Sequence, residues 1–122
     1  MSRFSGMRFS TLERHHAVTQ AFLPLGTIPA VVAVAAPTAA EALPRPDQVR
    51  AFLIDGSCGY VLKRGCWHSV DRYPLGESES RIVMLTSRST QLELQTKAQA
   101  DWRLTQQVDF TQELGVTFQL VV

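Results

Sequence analysis

Apolar residues in this chain come in short runs that alternate with polar positions or stop at turn residues, a pattern that predicts β-strands. Residues 30–36 (AVVAVAA) form the most apolar run, as expected of a buried strand rich in β-branched side chains. The predicted strands cover residues 19–24, 30–36, 50–54, 59–62, 67–70, 81–88, 92–96 and 116–122. The best helical candidate is residues 98–107.

Turn residues separate these runs at short intervals. Asp55-Gly56 ends one strand, and Lys63-Arg64-Gly65 forms a second tight reversal. Residues 37–47 contain three prolines and predict a loop, with one helical turn near 39–43, and residues 71–80 predict a polar loop. Short strands with such spacing are typical of a sandwich or barrel, so we predict an all-β single domain.

Composition narrows the classes of partner. The 122 residues are 45% hydrophobic, which is enough for one buried core. The net charge is +1 and the few aromatic residues are not interleaved with basic ones, so we expect no nucleic-acid partner. Ten of the twelve basic residues are arginine, whose guanidinium fork suits carboxylate recognition.

Two features bear on the compartment. Cys58 and Cys66 are expected to be reduced thiols of an intracellular protein, with a hairpin disulfide as the alternative. Residues 21–40 carry no charge and follow several arginines, which is the outline of a secretory signal. Prolines and a glycine interrupt that stretch, so we expect a cytoplasmic protein with no membrane partner. The alternative is a secreted domain whose mature chain begins near Glu41.

Candidate chemistry first appears at Glu13-Arg14-His15-His16, just before the first predicted strand. As a solvated charged segment it would have no further role. As part of a site it would place a base and a carboxylate-binding arginine at the mouth of a barrel, where small ligands bind.

A second group of polar residues follows the Lys63-Arg64-Gly65 reversal. Trp67 offers an apolar wall, and His68 is expected on the opposite face of the same strand. Arg50 opens an apolar strand, either at the sheet edge or facing a cavity. The sequence has no paired C-x-x-C, H-x-H or H-E-x-x-H, so no metal ligand set is evident.

The order of these segments resembles the ureidoglycolate lyase family. The matching motifs are LERH and TQAFLP at residues 12–15 and 19–24, the apolar run at 30–36, D-x-VRAF at 47–52 with Gly56 and Gly59, RGCWH at 64–68, and more weakly VDF at 108–110. The similarity is strongest over residues 10–72.

This resemblance implies a cupin-like β-barrel, a double-stranded β-helix that usually forms a homodimer. It would occupy residues 10–122 after a mobile lead of residues 1–9. The implied small-molecule substrate is (S)-ureidoglycolate, which is cleaved to urea and glyoxylate in allantoin and purine nitrogen breakdown. Some family members are associated with a divalent metal such as nickel. Family chains carry a further N-terminal segment, so this chain resembles a short member.

The roles expected from the chemistry follow. His68 is the expected base, because imidazole titrates near neutral pH. Arg64 is the first candidate for the substrate carboxylate, with Arg14, Arg50 and Lys63 as other cations. His15 and Gln20 would donate to the ureido carbonyl. The remaining expected contacts are Trp67, which would line the site, and Glu13, which would orient a histidine.

Three positions depart from the family pattern. Ser69-Val70 replaces the second His and the Pro of Trp-His-His-Pro, and Lys63 stands where a His is usual. Two alternatives therefore remain open: a non-catalytic domain that binds glyoxylate or a related small carboxylate, and an enzyme acting on another carbinolamide or α-hydroxy acid.

Overall fold

A computed structural model describes residues 7–75 and 80–121 of the chain. Its strands are β1 (Met7–Phe9), β2 (Thr11–His15), β3 (Gln20–Leu25), β4 (Ala30–Ala35), β5 (Arg50–Ile54), β6 (Tyr60–Leu62), β7 (Trp67–Ser69), β8 (Tyr73–Pro74), β9 (Arg81–Leu85), β10 (Thr105–Asp109) and β11 (Phe118–Leu120). The α-helices are α1 (Arg88–Thr96) and α2 (Phe110–Leu114), and 3-10 turns occupy Pro46–Gln48 and Gln99–Asp101. The predicted all-β class is confirmed.

Within the described residues, the strands form three antiparallel sheets. The central sheet has the order β10-β2-β7-β4-β5, with β8 also paired to β4. A second sheet has the order β6-β3-β9, and β1 pairs with β11 in a two-stranded sheet. This is a cupin-like domain, as predicted, although the hydrogen-bonded ladder is not continuous around a closed barrel within the described residues.

The main apolar core lies on one face of the central sheet. Leu12, Ala35, Trp67 and Phe110 are buried together there. They come from β2, β4, β7 and the start of α2, so one face of three neighbouring strands is apolar. Because side chains alternate along a strand, the residues between these positions face the other way.

The strand predictions hold best where the runs are apolar. The predictions for β4 and β5 match within one residue, and β3, β6 and β7 also lie within one residue of their predicted bounds. Two shorter strands fall inside their predicted ranges: β9 ends before residue 88, and β11 occupies the middle of 116–122, whose last residue is outside the described part. Of the predicted loop at 71–80, β8 takes two residues, and 76–79 are not described.

Two predictions near the C-terminal third are wrong. Residues 92–96, predicted as a strand, belong to α1. Ser87 caps this helix by accepting a hydrogen bond from the Thr90 amide, which favours the helix over an extended run. Residues 98–107, predicted as a helix, form a 3-10 turn and then β10, which pairs along β2. Tertiary pairing therefore overrides local preference there.

The expected lead covers residues 1–9, of which 1–6 lie outside the described residues. Its last three residues form β1, whose Arg8 pairs with Gln119 of β11. Phe9 stacks on Phe118 with ring centroids 5.1 Å apart, which ties this strand to the core. In the described ranges, no helix is long and apolar enough to cross a membrane.

Candidate functional site

The charged segment that precedes the first predicted strand is itself a strand. β2 lies between β10 and β7, and Glu13 pairs with Gln107 on one side and His68 on the other. Alternation along β2 sends Leu12 and Arg14 to the apolar core and Glu13 to the opposite face. The interpretation of this segment as a solvated lead-in is therefore wrong.

Glu13, His15 and His68 form what we term the polar cluster. One potential ligand atom from each lies within 4.8 Å of the others, and all three residues are buried. The rings of His15 and His68 have centroids 5.2 Å apart at an interplanar angle of 37°. The sequence prediction that His68 lies opposite Trp67 is confirmed by this contact and by the place of Trp67 in the core.

Hydrogen bonds fix the orientation of both imidazoles. His68 Nδ1 lies 2.9 Å from the Ser69 carbonyl oxygen, which can only accept, so Nδ1 carries the proton. The Nε2 lone pair of His68 is then free, and Nε2 is buried without a hydrogen-bond partner among the described residues. His15 Nδ1 lies 2.8 Å from Thr105 Oγ1, which leaves its Nε2 for the cluster. The arrangement presents unprotonated ring nitrogen to a ligand.

Burial also sets the charge of the cluster. It lowers the pKa of His68 to about 4, helped by the charges of Arg72 and His15 and opposed by the Ser69 bond. Burial, His16 and Arg72 lower the pKa of His15 to about 4. Burial raises the pKa of Glu13, against the Gln107 side chain and Arg72. Both imidazoles are therefore neutral near pH 7 and able to accept a proton.

A guanidinium that sequence analysis missed spans the gap between the two larger sheets. Arg72 Nη1 donates to the Ser69 carbonyl at 2.8 Å, and Nε donates to the Tyr60 hydroxyl at 3.0 Å. Its Cζ lies 4.5 Å from the centroid of the Phe22 ring. Since Arg72 follows the end of β7, strand alternation does not predict its direction, and no local motif encodes its partners on β3 and β6.

Arg14 and Trp67, predicted to contact substrate, lie on the other face of the central sheet. Arg14 is 2% exposed, and its guanidinium lies 4.4 Å over the Trp67 ring. Trp67 is fully buried, and its Nε1 donates to Thr38 Oγ1 at 3.0 Å. Both side chains are occupied by core contacts and face away from the polar cluster, so the structure does not bring these two predicted substrate-binding residues to it.

The other predicted cations are also absent from the cluster. Arg50, Lys63 and Arg64 are exposed, Arg50 on the edge strand and the other two at the reversal before β7. The structure therefore does not support the predicted catalytic role of Arg64. Gln20 is buried on the second sheet, where its amide donates to Thr86 Oγ1 at 3.0 Å.

The structure assembles a potential metal ligand set that the sequence did not reveal. A carboxylate and two imidazoles form a donor set suited to divalent transition metals, and one ring nitrogen among them has no hydrogen-bond partner in the part of the chain that the structure describes. The expectation of no ligand set failed because the ligands come from β2 and β7, which are separated by some fifty residues of chain. Pairing of these strands, rather than a local motif, creates the set.

Ser69, the main departure from the family signature, takes no part in the cluster. Its hydroxyl donates to the Asp71 carbonyl at 2.8 Å and accepts from the Ala33 amide at 3.1 Å. Ser69 is fully buried in these contacts. The substitution at this position therefore leaves the described set of Glu13, His15 and His68 intact.

The family model and the relatives that this chain matches carry the same name. A family model described as "Ureidoglycolate lyase" matches residues 2–105. A ureidoglycolate lyase of Azotobacter vinelandii is 49% identical over 72 residues, covering 59% of this chain and 42% of the relative. Relatives of the same name from Pseudomonas aeruginosa PAO1 and Schizosaccharomyces pombe are 44% and 32% identical, covering 51% and 53% of this chain and 35% and 36% of their own lengths. The matches thus span less than half of these relatives.

Proposed function

The chain belongs to the ureidoglycolate lyase family, and from that premise we propose that it cleaves (S)-ureidoglycolate to urea and glyoxylate. The polar cluster is the observation that carries this proposal, because it offers a buried imidazole with a free Nε2 lone pair beside a carboxylate. The shared name of relatives from bacteria and yeast supports it.

The reaction requires a proton to move from oxygen to nitrogen. One carbon of ureidoglycolate bears a hydroxyl, a carboxylate and the ureido nitrogen. His68 Nε2 accepts the hydroxyl proton, the C–O bond becomes the C=O of glyoxylate, and the C–N electron pair leaves with the ureido nitrogen. The imidazolium then returns the proton to that nitrogen, so urea leaves neutral and His68 is regenerated. His15, whose ring is oriented by its hydrogen bond to Thr105, donates a hydrogen bond to the ureido group or accepts one from it.

The polar cluster also fits the divalent metal ion that the family resemblance implies. Glu13 and the Nε2 atoms of His15 and His68 would hold it, since each Nδ1 is already hydrogen-bonded. A bound ion would act as a Lewis acid on a substrate oxygen. Proton acceptance and metal binding use the same His68 lone pair, so the metal content of the purified protein distinguishes the two uses.

The alternative of a non-catalytic carboxylate-binding domain is less well supported. It depended on Ser69, whose hydroxyl is bonded to Asp71 and Ala33 and is not part of the cluster. A neutral base with an open lone pair is more than simple carboxylate binding requires.

We further propose a cytoplasmic homodimer that acts in allantoin and purine nitrogen breakdown. The outer face of the second sheet supports self-association because it exposes neighbouring apolar side chains, namely Leu23, Leu25, Val61, Val83 and Leu85. The free thiols of Cys58 and Cys66 support a reducing compartment. Sedimentation of the protein and of a Val61→Lys variant tests the dimer, which this change should weaken.

The function is tested by the release of urea and glyoxylate from racemic ureidoglycolate. We expect enzyme-dependent release from the wild type and at least about a tenfold loss in His68→Gln, because a general base contributes at least that much. His16→Gln is the matched control, since His16 is the exposed neighbour of the cluster. The assay is run with and without a chelator, alongside metal analysis of the same sample.

Either of two outcomes contradicts the proposal. One is no release above the spontaneous rate from protein that unfolds cooperatively. The other is equal activity in His68→Gln and His16→Gln, which would remove the base from the polar cluster.

A further inference from the structure

The proposed substrate carries a carboxylate, and a buried site must supply a cation to hold it. Each cation expected from the sequence lies elsewhere. Arg14 is on the opposite face of the central sheet, and Arg50, Lys63 and Arg64 are exposed. Among the described residues, Arg72 is the cation whose charge reaches all three members of the polar cluster, through its effect on their pKa values.

Contacts from both sheets hold the Arg72 guanidinium in place. Nη1 bonds the Ser69 carbonyl of β7, and Nε bonds the Tyr60 hydroxyl of β6. The Phe22 ring of β3 covers the guanidinium face, and this ring stacks on Tyr60 at 4.9 Å. A side chain held this way has little rotamer freedom left to lose when it binds a ligand.

The terminal edge of the guanidinium remains available. Nη2 makes no hydrogen bond to any residue in the described ranges, whereas Nε and Nη1 do. The carbonyl of Ser69 accepts bonds from both Arg72 and His68, so the two side chains are fixed to one backbone atom. A small acid bound to the guanidinium edge would therefore lie beside His68.

We propose that Arg72 binds the carboxylate of the substrate and makes the site selective for small 2-hydroxy and 2-oxo acids. This inference rests on the proposed function for the identity of the substrate but not for the binding itself. The carboxylate meets the guanidinium edge, and the adjacent carbon with its oxygen is directed to the polar cluster. Such charge-assisted bonds to arginine are directional, so they select a carboxylate over a neutral group of the same shape.

The test compares a carboxylate with its neutral counterpart. Glyoxylate and glyoxylamide are titrated by calorimetry into the wild type, Arg72→Met, Arg72→Lys and Arg88→Met. Arg88 is an exposed arginine at the start of α1 and is the matched control. We expect the wild type and Arg88→Met to prefer glyoxylate, Arg72→Met to bind glyoxylate at least about tenfold more weakly, and glyoxylamide affinity to stay within about twofold.

Other results would overturn the assignment. If Arg72→Met weakens the binding of glyoxylate and of glyoxylamide equally, Arg72 has a structural role. If glyoxylate binding is unchanged in Arg72→Met, or is absent in the wild type, Arg72 is not the residue that binds the carboxylate. If Arg72→Met does not unfold cooperatively, the Arg72→Lys variant provides the test, because lysine keeps the positive charge but lacks the forked guanidinium. It should weaken the binding of glyoxylate at least about threefold and leave the binding of glyoxylamide unchanged.

This experiment separates the inference from the proposed function. Arg72-dependent binding of glyoxylate without urea release would refute the lyase proposal and leave the carboxylate site standing. Urea release by the wild type, with an unchanged preference for the carboxylate in the Arg72 variants, would refute the carboxylate site at Arg72 and leave the lyase proposal standing.

Discussion

Replacing Arg14 with methionine should destabilise the fold while leaving ligand binding intact. Nη1 donates to the Thr38 carbonyl at 2.8 Å, and Nε donates to Gln106 Oε1 at 2.9 Å. Longer bonds of 3.2 and 3.4 Å reach the carbonyls of Ala40 and Ala39. The arginine thus joins the loop after β4 to β2 and β10, and none of these bonds faces the polar cluster.

The expected loss of unfolding free energy in Arg14→Met follows from the two short hydrogen bonds. A hydrogen bond made by a charged group contributes about 1.5 kcal/mol or more, so losing two costs about 3 kcal/mol. The longer bonds add little, because Ala39 and Ala40 are exposed and water can replace the arginine there. Methionine keeps an unbranched stem against Trp67, so the loss from packing is small. For an m-value of about 1.5 kcal/mol/M, the urea midpoint should fall by about 2 M.

The assay is urea unfolding followed by fluorescence, combined with glyoxylate titration. Arg45→Met is the control, because the Arg45 side chain pairs with Asp47 at the exposed surface and its loss should change stability by less than about 1 kcal/mol. A urea midpoint of Arg14→Met within about 0.3 M of the wild type would show that these bonds do not stabilise the fold. Normal unfolding of this variant together with a loss of glyoxylate binding would show instead that Arg14 faces the ligand.

Three further predictions concern other parts of the fold. The pKa of His68 is about 4 in the folded state and about 6.5 in the unfolded state, so its contribution to stability is full above pH 6.5 and falls by about 3 kcal/mol as the pH drops toward 4. His68→Gln should therefore flatten the profile of urea midpoint against pH in this range. A His68→Gln profile parallel to that of the wild type would contradict the prediction. Ser87→Ala should cost about 1 kcal/mol in urea unfolding because it removes the cap of α1, with Ser89→Ala as a near-neutral control. Gly65→Ala should cost about 1 kcal/mol because Gly65 has φ +77°, while the added Cβ meets Pro37 only at 3.4 Å; a neutral result would show that the reversal relaxes.

Apolar periodicity was sufficient to predict β3 to β7, which include strands of both larger sheets. The runs at β4 and β5 are continuous and bounded by turn residues, so neither needed tertiary information. β2 was missed because four of its five residues, Thr11–His15, are polar and its burial depends on β7 and β10 on either side. A strand covered on both edges and both faces can carry charged side chains that a sequence pattern assigns to solvent.

The candidate site was predictable only in part, because its residues come together through strand pairing. Its two histidines were predicted individually, but only the pairing of Glu13 with His68 brings them together. Arg64 was the first candidate for the carboxylate-binding arginine because it stands beside Trp67 and His68 in the sequence, and local sequence offered no other criterion. Arg72 reaches the site through partners on β3 and β6, a contact set by how the two sheets pack.

The central claim is that ligands bind at the polar cluster, and mapping glyoxylate on the isotope-labelled protein by NMR tests it most directly. We predict that the largest chemical-shift changes fall on the amides of β2 and β7 and on the His15 and His68 rings, with saturable dependence on glyoxylate. Changes confined to Lys63–Gly65 and Arg50, with an undisturbed cluster, would contradict it and return the site to the exposed cations.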